Sequence, residues 1–381
     1  MGPVRAVDLF SGVGGFRAGA ILSAREFKFV GHCEKDPYPL KGYKAMFETS
    51  DEVDLGDIKA ITRSEDEVFS DGFLKPQSAR TKRIKRMIPD HDILFAGFPC
   101  QPFSDMGGQM GVHDTLGRGN LIFDIVEVLR VKKPSWFVLE NVKRFYTHNS
   151  GFLRKAVCEH LRSRKLGYDV ECWLLNAKNF GVPQTRNRVF IVGRRKDVSQ
   201  RRLTAPVGSV PEGYGSGVHA ILERSVGDRY YLSERIKPTI LSNGTGGWDA
   251  KAEINKFIAR PICKTMHKMH RASQDNYYSD SFINGMWSEE KGGVIETEMG
   301  RDRIRRITPR EAFRIQSFSE PLIERLLSSG LSDTRLYMAA GNAVPPRMVD
   351  VVLRSLLGVD QSEISKHELQ PIRPLVSMKE T

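Results

Sequence analysis

The chain lacks most features that mark secreted, membrane or metal-binding proteins. Its 381 residues contain only five cysteines, at positions 33, 100, 158, 172 and 263, with no CxxC pair. This odd, dispersed set argues against a disulfide scaffold and against a structural zinc site, so no metal is predicted. No apolar run approaches 18 residues, and a strand-like run begins at Val4. We therefore expect a cytoplasmic protein with reduced thiols, no signal peptide and no membrane partner.

Two common nucleotide-binding spacings are also missing. Residues 8–16 read Asp-Leu-Phe-Ser-Gly-Val-Gly-Gly-Phe, but Arg17 replaces the third glycine of GxGxxG, and no GK[ST] follows. A dinucleotide or a triphosphate is therefore disfavoured. The segment still joins a strand-like run to a helical one, where glycines let a ligand approach the main chain. We predict a loop for another nucleotide-type cofactor.

The chain has a surplus of positive charge. Its 58 Lys and Arg against 46 Asp and Glu give a net charge of +12, spread along the sequence. Such a surplus suits a polyanionic partner such as nucleic acid. The length predicts one large domain and one smaller domain.

Hydrophobic patterning predicts an α/β fold with a doubly wound, mainly parallel sheet. Short apolar runs alternate with amphipathic helical stretches, which is typical of such folds. The predicted strands are 4–9, 27–34, 92–97, 136–140, 168–175 and 188–192, and the predicted helices include 120–132 and 152–164. Thr308, Pro309 and Glu311 form a capping-box sequence, and a last helix follows Pro345. The charged stretch 63–90 is predicted to be a surface excursion.

Composition divides the chain into four parts. Residues 1–196 carry the alternating pattern, 197–303 are irregular and richer in Gly, Ser and Asn, 304–360 return to regular structure, and 361–381 form a polar tail. Because the last helix has an apolar face that suits the first domain, we expect 197–303 to be a smaller inserted domain.

Cys100 is the strongest candidate nucleophile. It follows the apolar run 92–97, and Pro99 and Pro102 stiffen the backbone around it. A buried structural cysteine is the alternative, and it is the commoner role for a cysteine considered alone. The placement at a strand end favours a thiol that is aimed at a substrate.

Several polar residues follow or begin predicted strands. Glu34 is predicted to accept hydrogen bonds from ribose hydroxyls, and Asp57 is predicted to accept one from an exocyclic amine. The alternative for each residue, considered alone, is a solvated acidic side chain in a turn. Glu140 ends an apolar strand, where desolvation would let it act as an acid; a helix cap is the alternative. Gln184, Arg186 and Arg188 alternate and predict one polar face, either a pocket wall or a surface salt-bridge ladder.

These segments resemble the ordered motifs of the DNA cytosine-5 methyltransferases. The resemblance lies in residues 8–16, 97–104, 140–142, 184–188 and 340–345 and spans about 4–195 and 304–357. It implies a Rossmann-like, S-adenosylmethionine-dependent methyltransferase. Residues 197–303 match the family's target-recognition region in position only, and 104–119 would form the catalytic loop.

The resemblance implies a role for each matched residue. Cys100 would be the nucleophile, Glu140 would act on the N3 edge of cytosine, and Arg186 and Arg188 would support its carbonyl side. S-adenosylmethionine would be bound by Phe10, Gly12, Gly14, Glu34, Asp57, Ile58, Pro99, Leu121, Asn342 and Val344. Phe98, Gln101 and Ser104 would line the substrate pocket and the catalytic loop.

The implied activity is methylation of carbon 5 of a flipped cytosine in double-stranded DNA through a covalent Cys100 intermediate. The expected setting is a bacterial restriction-modification system, with a monomeric enzyme and a cognate endonuclease as a functional partner that need not touch it. Lys264, Lys268 and Arg271 could contact DNA, although a solvated helix face explains them equally well.

Three other functions compete with this interpretation. An RNA (tRNA) cytosine-5 methyltransferase of the same family is the nearest, and Phe98 and the long insertion argue against it. A dehydrogenase is disfavoured by the missing glycine. A non-catalytic DNA-binding protein would not need Cys100, Glu140 and the arginines together.

Overall fold

The structure is a computed structural model of the 381-residue chain. It describes residues 2–23, 25–63, 69–70, 73–74, 77–99, 121–147, 152–208, 217–243, 251–288, 293–296 and 302–359. Within these ranges, no helix combines the length and the apolar character needed to cross a membrane. The described chain divides into two compact units.

The first unit is built on a seven-stranded sheet in the order β3-β2-β1-β6-β7-β9-β8. Its strands are β1 (Val4–Leu9), β2 (Phe27–Cys33), β3 (Val53–Asp54), β6 (Ile93–Gly97), β7 (Trp136–Val142), β8 (Tyr168–Asn176) and β9 (Asn187–Arg195). The pairs from β3 through β7 are parallel, and β7 pairs with β9 in antiparallel fashion. The chain winds outward from β1 through β2 and β3, then resumes on the other side of β1 with β6. The predicted doubly wound, mainly parallel sheet is therefore confirmed.

Alternation along β6 explains why both faces of the sheet are covered. Leu94 and Ala96 point into an apolar core shared with helices on one face, whereas Phe95 points to the opposite face. There Phe95 stacks on Phe16 of the first helix, with ring centroids 5.1 Å apart. Strands buried on both sides need apolar residues at nearly every position, which is why they were visible in the sequence.

The helices of the first unit are short to medium in length. They are α1 (Gly15–Leu22), α2 (Pro37–Met46), α3 (Ile58–Thr62), α4 (Ser78–Met87), α5 (Ile122–Lys132), α6 (Lys143–Thr147) and α7 (Phe152–Arg162). A two-stranded hairpin, β4 (Phe69–Ser70) with β5 (Phe73–Leu74), precedes α4. Because Arg80 and Ile84 of α4 are fully buried, the prediction that all of 63–90 is a surface excursion is wrong for this helix.

The second unit is less regular. It contains 3₁₀ turns at Ala177–Phe180, Val218–Ala220, Asp228–Tyr230 and Met266–Lys268, helices α8 (Lys237–Leu241) and α9 (Asp280–Asn284), and the strands β10 (Tyr277–Ser279), β11 (Met286–Ser288), β12 (Gly293–Glu296) and β13 (Ile304–Arg306). Strands β10 and β13 pair in antiparallel fashion, as do β11 and β12.

Three further helices complete the second unit. They are α10 (Pro309–Ile315), α11 (Glu320–Leu327) and α12 (Asp333–Asn342), and α13 (Pro346–Leu357) follows them. The predicted capping box is confirmed: the Thr308 hydroxyl accepts the N–H of Glu311, and the Glu311 side chain accepts the N–H of Thr308. Arg305 and Glu311 also form a buried ion pair at 2.6 Å.

The units do not have the same boundaries as the predicted domains. Among the described residues, the first lies within 1–175, 187–206 and 349–359, and the second lies within 176–186 and 207–348. Residues 349–357 of the last helix thus belong to the first unit, and Arg354 donates to the carbonyl of Leu22 there. The functional assignment of residues 197–303 stays a prediction.

Candidate active site

Three strands of the first unit bring the candidate motifs to one edge of the sheet. The register pairs Leu9 of β1 with Ala96 of β6, and Gly97 of β6 with Glu140 of β7. The glycine-rich segment and the segment that leads to Cys100 therefore leave the sheet at neighbouring carboxyl ends, and Glu140 lies beside the second of them, two residues before β7 ends at Val142. This edge lies where the strand order reverses, which is where open α/β sheets bind ligands.

The glycine-rich segment forms a tight turn between β1 and α1. Phe10, Gly12 and Gly14 have φ values of 57°, 55° and 87°. A Cβ at Gly14 would lie 2.4 Å from a ring carbon of Phe47, so only glycine fits there. A Cβ at Gly12 would meet no atom within 4 Å among the described residues. The turn therefore leaves open space above Gly12.

Two polar side chains beside this turn are buried without a hydrogen-bond partner among the described residues. They are the carboxyl group of Asp8 and the hydroxyl of Ser11. Burial raises the pKa of Asp8 well above its usual range, and the nearby Glu52 carboxylate raises it further. Unpartnered buried polar atoms are rare in native proteins, so a ligand that supplies hydrogen bonds would complete this site.

Glu34 follows β2 and faces the same turn. Its carboxylate accepts the N–H of Gly12 at 3.0 Å and the N–H of Asp36 at 2.8 Å. Burial raises the pKa of Glu34, while these two donors oppose the rise. The preceding Cys33 is buried, and its sulfur donates to the carbonyl of Gly56 at 3.0 Å. Desolvation raises the pKa of Cys33 to about 12.

Asp57, Ile58 and Leu121 lie at helix beginnings. Asp57 caps α3, since its side chain accepts the N–H of Lys59 at 3.0 Å. Ile58 and Leu121 are buried in the apolar core of the first unit. Asp57 thus has a structural role in the chain itself, and its predicted contact with an exocyclic amine stays a prediction.

The segment before Cys100 is held by an asparagine that the sequence analysis did not single out. The Asn141 amide donates to the carbonyl of Phe98 at 3.0 Å, and both residues are buried. The ring of Phe98 contacts Phe145 edge-on, with centroids 5.5 Å apart. Pro99 is exposed, whereas Cys100, Gln101 and Ser104 lie outside the described residues.

Glu140 and Arg188 form an ion pair at the same edge. Arg188 Nε lies 2.7 Å from Glu140 Oε1, and their side chains are 15% and 10% exposed, respectively. Strand β9 runs antiparallel to β7 and begins at Asn187, so Arg188 enters the sheet beside Val142. A nearly buried carboxyl group is thus oriented by one guanidinium, next to the segment that leads to Cys100.

Gln184 and Arg186 differ from Arg188. They precede β9, so the prediction of one polar strand face shared by all three residues is wrong. Arg186 is 1% exposed and donates to the carbonyls of Ile262, Gly341 and Ala343 at 2.7 to 2.9 Å. Gln184 is equally buried and binds main-chain atoms of Ile262 and Ile315. Both side chains therefore stabilise the second unit. Contact of Arg186 with the carbonyl side of the cytosine stays a prediction.

The predicted cofactor residues Asn342 and Val344 lie in the segment that Arg186 holds. Asn342 is exposed and ends α12, and Val344 is buried. A Cβ at Gly341 would lie 2.1 Å from the main-chain nitrogen of Lys264, so glycine permits close packing of the two segments. Within the second unit, the Asn342 segment thus touches the start of the basic stretch.

The basic stretch is not a regular helix. Lys264 and Lys268 are exposed, Arg271 is half-buried, and the intervening structure is the 3₁₀ turn Met266–Lys268. The alternative interpretation, a solvated face of a helix, is therefore wrong because the stretch does not form an α-helix. Binding of DNA by these cations stays a prediction.

The first unit thus has a Rossmann-like sheet with a glycine-rich turn at the switch point, where folds of this class bind their ligands. The chain belongs to the family of C-5 cytosine-specific DNA methylases, whose family model matches residues 4–358. The predicted enzyme class is therefore confirmed.

Relatives agree with this family assignment. The chain is 32% identical over 362 residues to the type II methyltransferase M1.ScrFI of Lactococcus lactis subsp. cremoris, covering 93% of this chain and 78% of the relative. It is 31% identical over 355 residues to the type II methyltransferase M.HaeII of Haemophilus aegyptius, covering 93% and 92%. The methyltransferase EhMeth of Entamoeba histolytica has the same fold, with a TM-score of 0.65, 18% identity, and 94% and 99% of the two chains covered.

Proposed function

We propose that this enzyme transfers a methyl group from S-adenosylmethionine to carbon 5 of a cytosine in double-stranded DNA. The observation that carries the proposal is the Glu140–Arg188 pair, which lies beside the strand end that leads to Cys100. The Glu140 carboxyl group and the Cys100 thiol would supply the acid and the nucleophile that activation of a cytosine ring requires.

The residues of the glycine-rich turn fit the cofactor. S-adenosylmethionine would bring an ammonium group, ribose hydroxyls and an electrophilic methyl group. Asp8 and Ser11, whose side chains lack hydrogen-bond partners in the described part of the chain, offer acceptors for such a ligand, and the space above Gly12 offers room. Glu34 retains acceptor capacity, since each carboxylate oxygen can accept more than one hydrogen bond. Phe10, Gly14, Asp57, Ile58, Pro99, Leu121, Asn342 and Val344 are proposed as the remaining contacts.

The chain's own groups would perform the activation. The thiolate of Cys100 attacks carbon 6 of the base, and Glu140 donates a hydrogen bond or a proton at N3, which draws charge from the ring. Carbon 5 thereby becomes nucleophilic enough to accept the methyl group, and S-adenosylhomocysteine would be left as the other product. A base then removes the carbon 5 proton, elimination releases the Cys100 thiolate, and any proton placed on N3 returns to Glu140. Arg188 would fix the orientation of the Glu140 carboxyl throughout.

The target cytosine has to leave the double helix for this chemistry. Flipping costs a few kcal/mol and is offset by contacts in the pocket. We propose that residues 197–303 supply sequence recognition. We also propose that Gln101 and the segment 104–119, which begins with Ser104, form the catalytic loop. A basic net charge of +12 suits the DNA backbone.

The names of the relatives favour a restriction-modification setting. M1.ScrFI and M.HaeII are type II methyltransferases, so we propose that this enzyme marks host DNA against a cognate endonuclease. The monomeric state stays a prediction from the sequence. The second candidate, an RNA cytosine-5 methyltransferase, would use the same Glu140–Arg188 site.

Transfer of tritiated methyl groups distinguishes the two substrates. The purified enzyme is incubated with tritiated S-adenosylmethionine and either duplex DNA that contains many different sequences or bulk tRNA. We expect label in DNA, located at 5-methylcytosine after digestion. Label in tRNA but not in DNA would overturn the DNA assignment, and label in neither would overturn the proposed activity.

A further inference from the structure

A cleft with a volume of about 320 Å³ lies in the first unit, far from the candidate active site. Strand β9 runs from Arg188, beside Val142, to Arg194, beside Trp136. These six residue steps separate the cleft from the Glu140 edge by about 20 Å. The start of β8, the end of β9 and the segment after β9 form its walls. We call this site the arginine cleft.

The lining of the arginine cleft is strongly basic. Five of its side chains carry positive charge: Arg162, Arg194, Lys196, Arg201 and Arg202. Only two are acidic, Asp169 and Glu171, and Glu171 is exposed. The cleft therefore carries an excess of positive charge that surrounds a concave surface, which attracts and concentrates anions.

Arg194 is the buried centre of this cluster. It is 3% exposed, and its Nε has no hydrogen-bond partner among the described residues. One terminal nitrogen donates to the carbonyl of Arg201, and the Asp169 carboxylate lies 3.8 Å away, beyond hydrogen-bond distance. Because the Asp169 side chain is 45% exposed, water screens it. A buried guanidinium with so little compensation is unfavourable unless another anion joins it.

Two neighbouring arginines are fixed by neutral partners. Arg162 Nε donates to the carbonyl of Val170 at 3.1 Å, and Arg201 donates to the carbonyl of Ser355 at 3.3 Å. A carbonyl oxygen orients a guanidinium but does not neutralise it. The cations are therefore held in place with their charge available.

We propose that the arginine cleft is a binding site for the phosphate group of a ligand, with Arg194 at its base. Guanidinium groups bind phosphate oxygens through paired N–H donors. The Nε–H of Arg194, which has no partner in the part of the chain that the structure describes, is available as such a donor. The volume of about 320 Å³ lies at the lower end of the range for small-molecule sites. Two sources can supply the phosphate group, a small free ligand and the DNA backbone. The proposed site is independent of the proposed methylation chemistry.

Calorimetric titration with inorganic phosphate and with pyrophosphate tests the proposal, with sodium chloride at matched ionic strength as reference. We expect saturable binding and a rise in Tm with phosphate beyond that with chloride. Arg194→Met should weaken binding by about tenfold or more, because it removes a charge-assisted pair. Since Arg194 is buried, Arg202→Ala serves as a second variant that should preserve the fold and weaken binding severalfold. Arg164→Ala, an exposed arginine outside the cleft, is the control and should change nothing.

Duplex affinity over a salt series identifies the source of the phosphate. If DNA supplies it, Arg202→Ala should lower the salt slope by about one. If a small ligand supplies it, phosphate should saturate the cleft while the affinity for duplex and its salt slope stay unchanged. Phosphate binding no stronger than chloride, together with unchanged DNA affinity in both cleft variants, would overturn the proposal.

Discussion

Replacement of Glu140 by glutamine is the change that most sharply separates chemistry from architecture at the candidate site. The amide oxygen can still take the place of Glu140 Oε1, which lies 2.7 Å from Arg188 Nε in the native chain. It cannot donate a proton as a carboxylic acid does. We therefore expect the single-turnover rate of methyl transfer to fall about 10²-fold to 10⁴-fold, the usual contribution of a general acid.

The stability effect can be estimated from the same contact. Removing one partner of a fully buried ion pair costs about 3 to 5 kcal/mol. Glu140→Gln keeps a polar group beside Arg188 at a site with some solvent contact, so we expect it to cost about 1 to 3 kcal/mol. Chemical denaturation of the wild type, Glu140→Gln, Arg188→Met and the double variant gives four free energies of unfolding. Together they measure the interaction energy between Glu140 and Arg188. Asp92→Asn is the matched control, because Arg5 and Asp92 form a pair at 2.9 Å that is 48% and 33% exposed.

The control and the rate together decide the role of Glu140. Asp92→Asn should cost at most about 1 kcal/mol and leave the rate unchanged, as for other exposed pairs. DNA and cofactor affinities should be preserved in Glu140→Gln. A variant that loses stability but keeps the wild-type single-turnover rate would show that Glu140 only braces the sheet edge.

Three further predictions concern Asp8, Asn141 and the basic stretch. Burial raises the pKa of Asp8 in the folded state, so this carboxyl group ionises at lower pH in the unfolded chain and destabilises the fold increasingly as pH rises above about 4. The Tm of Asp8→Asn minus that of wild type should therefore grow from pH 4 to pH 8, and a constant difference would contradict this. Asn141→Ala should lower the free energy of unfolding by about 1 to 3 kcal/mol, because it leaves the buried Phe98 carbonyl unpaired; an unchanged denaturation midpoint would contradict it. Lys264, Lys268 and Arg271 are each replaced by alanine. A residue that contacts phosphates should lower the salt slope of DNA binding by about one when replaced, whereas one that contacts bases should weaken binding to the cognate sequence alone by about 1 to 3 kcal/mol. No change in either quantity would exclude the stretch from the interface.

Much of the fold was predictable because the strands of a doubly wound sheet are buried on both faces. Strand β1 has the predicted bounds, Val4–Leu9, and β2 and β6 differ by one residue at one end. The capping-box helix from Pro309 was also predictable, since its signal lies within four consecutive residues. Local patterns of this kind need no knowledge of distant neighbours.

Features that depend on distant neighbours were not predictable. Alternation suggested that Gln184 and Arg186 share a strand face with Arg188, but carbonyls about 75 to 160 residues away along the chain bind Arg186 instead. The buried Arg80 lies in a stretch whose composition indicates surface. The sequence marks Asp8 only as part of the glycine-rich segment, because no local pattern shows that its buried carboxyl group lacks a hydrogen-bond partner among the described residues.

Covalent trapping at Cys100 tests the central claim most directly. Duplex DNA with 5-fluorocytosine at the methylated position is incubated with the enzyme and S-adenosylmethionine, and products are resolved under denaturing conditions. Fluorine cannot leave carbon 5 as a proton does, so elimination stops and the adduct persists. We predict a denaturation-resistant complex whose attached peptide contains Cys100, and none with Cys100→Ser, although that variant should still bind the cofactor. Efficient methylation of unmodified DNA without any adduct on the fluorinated DNA would contradict the account.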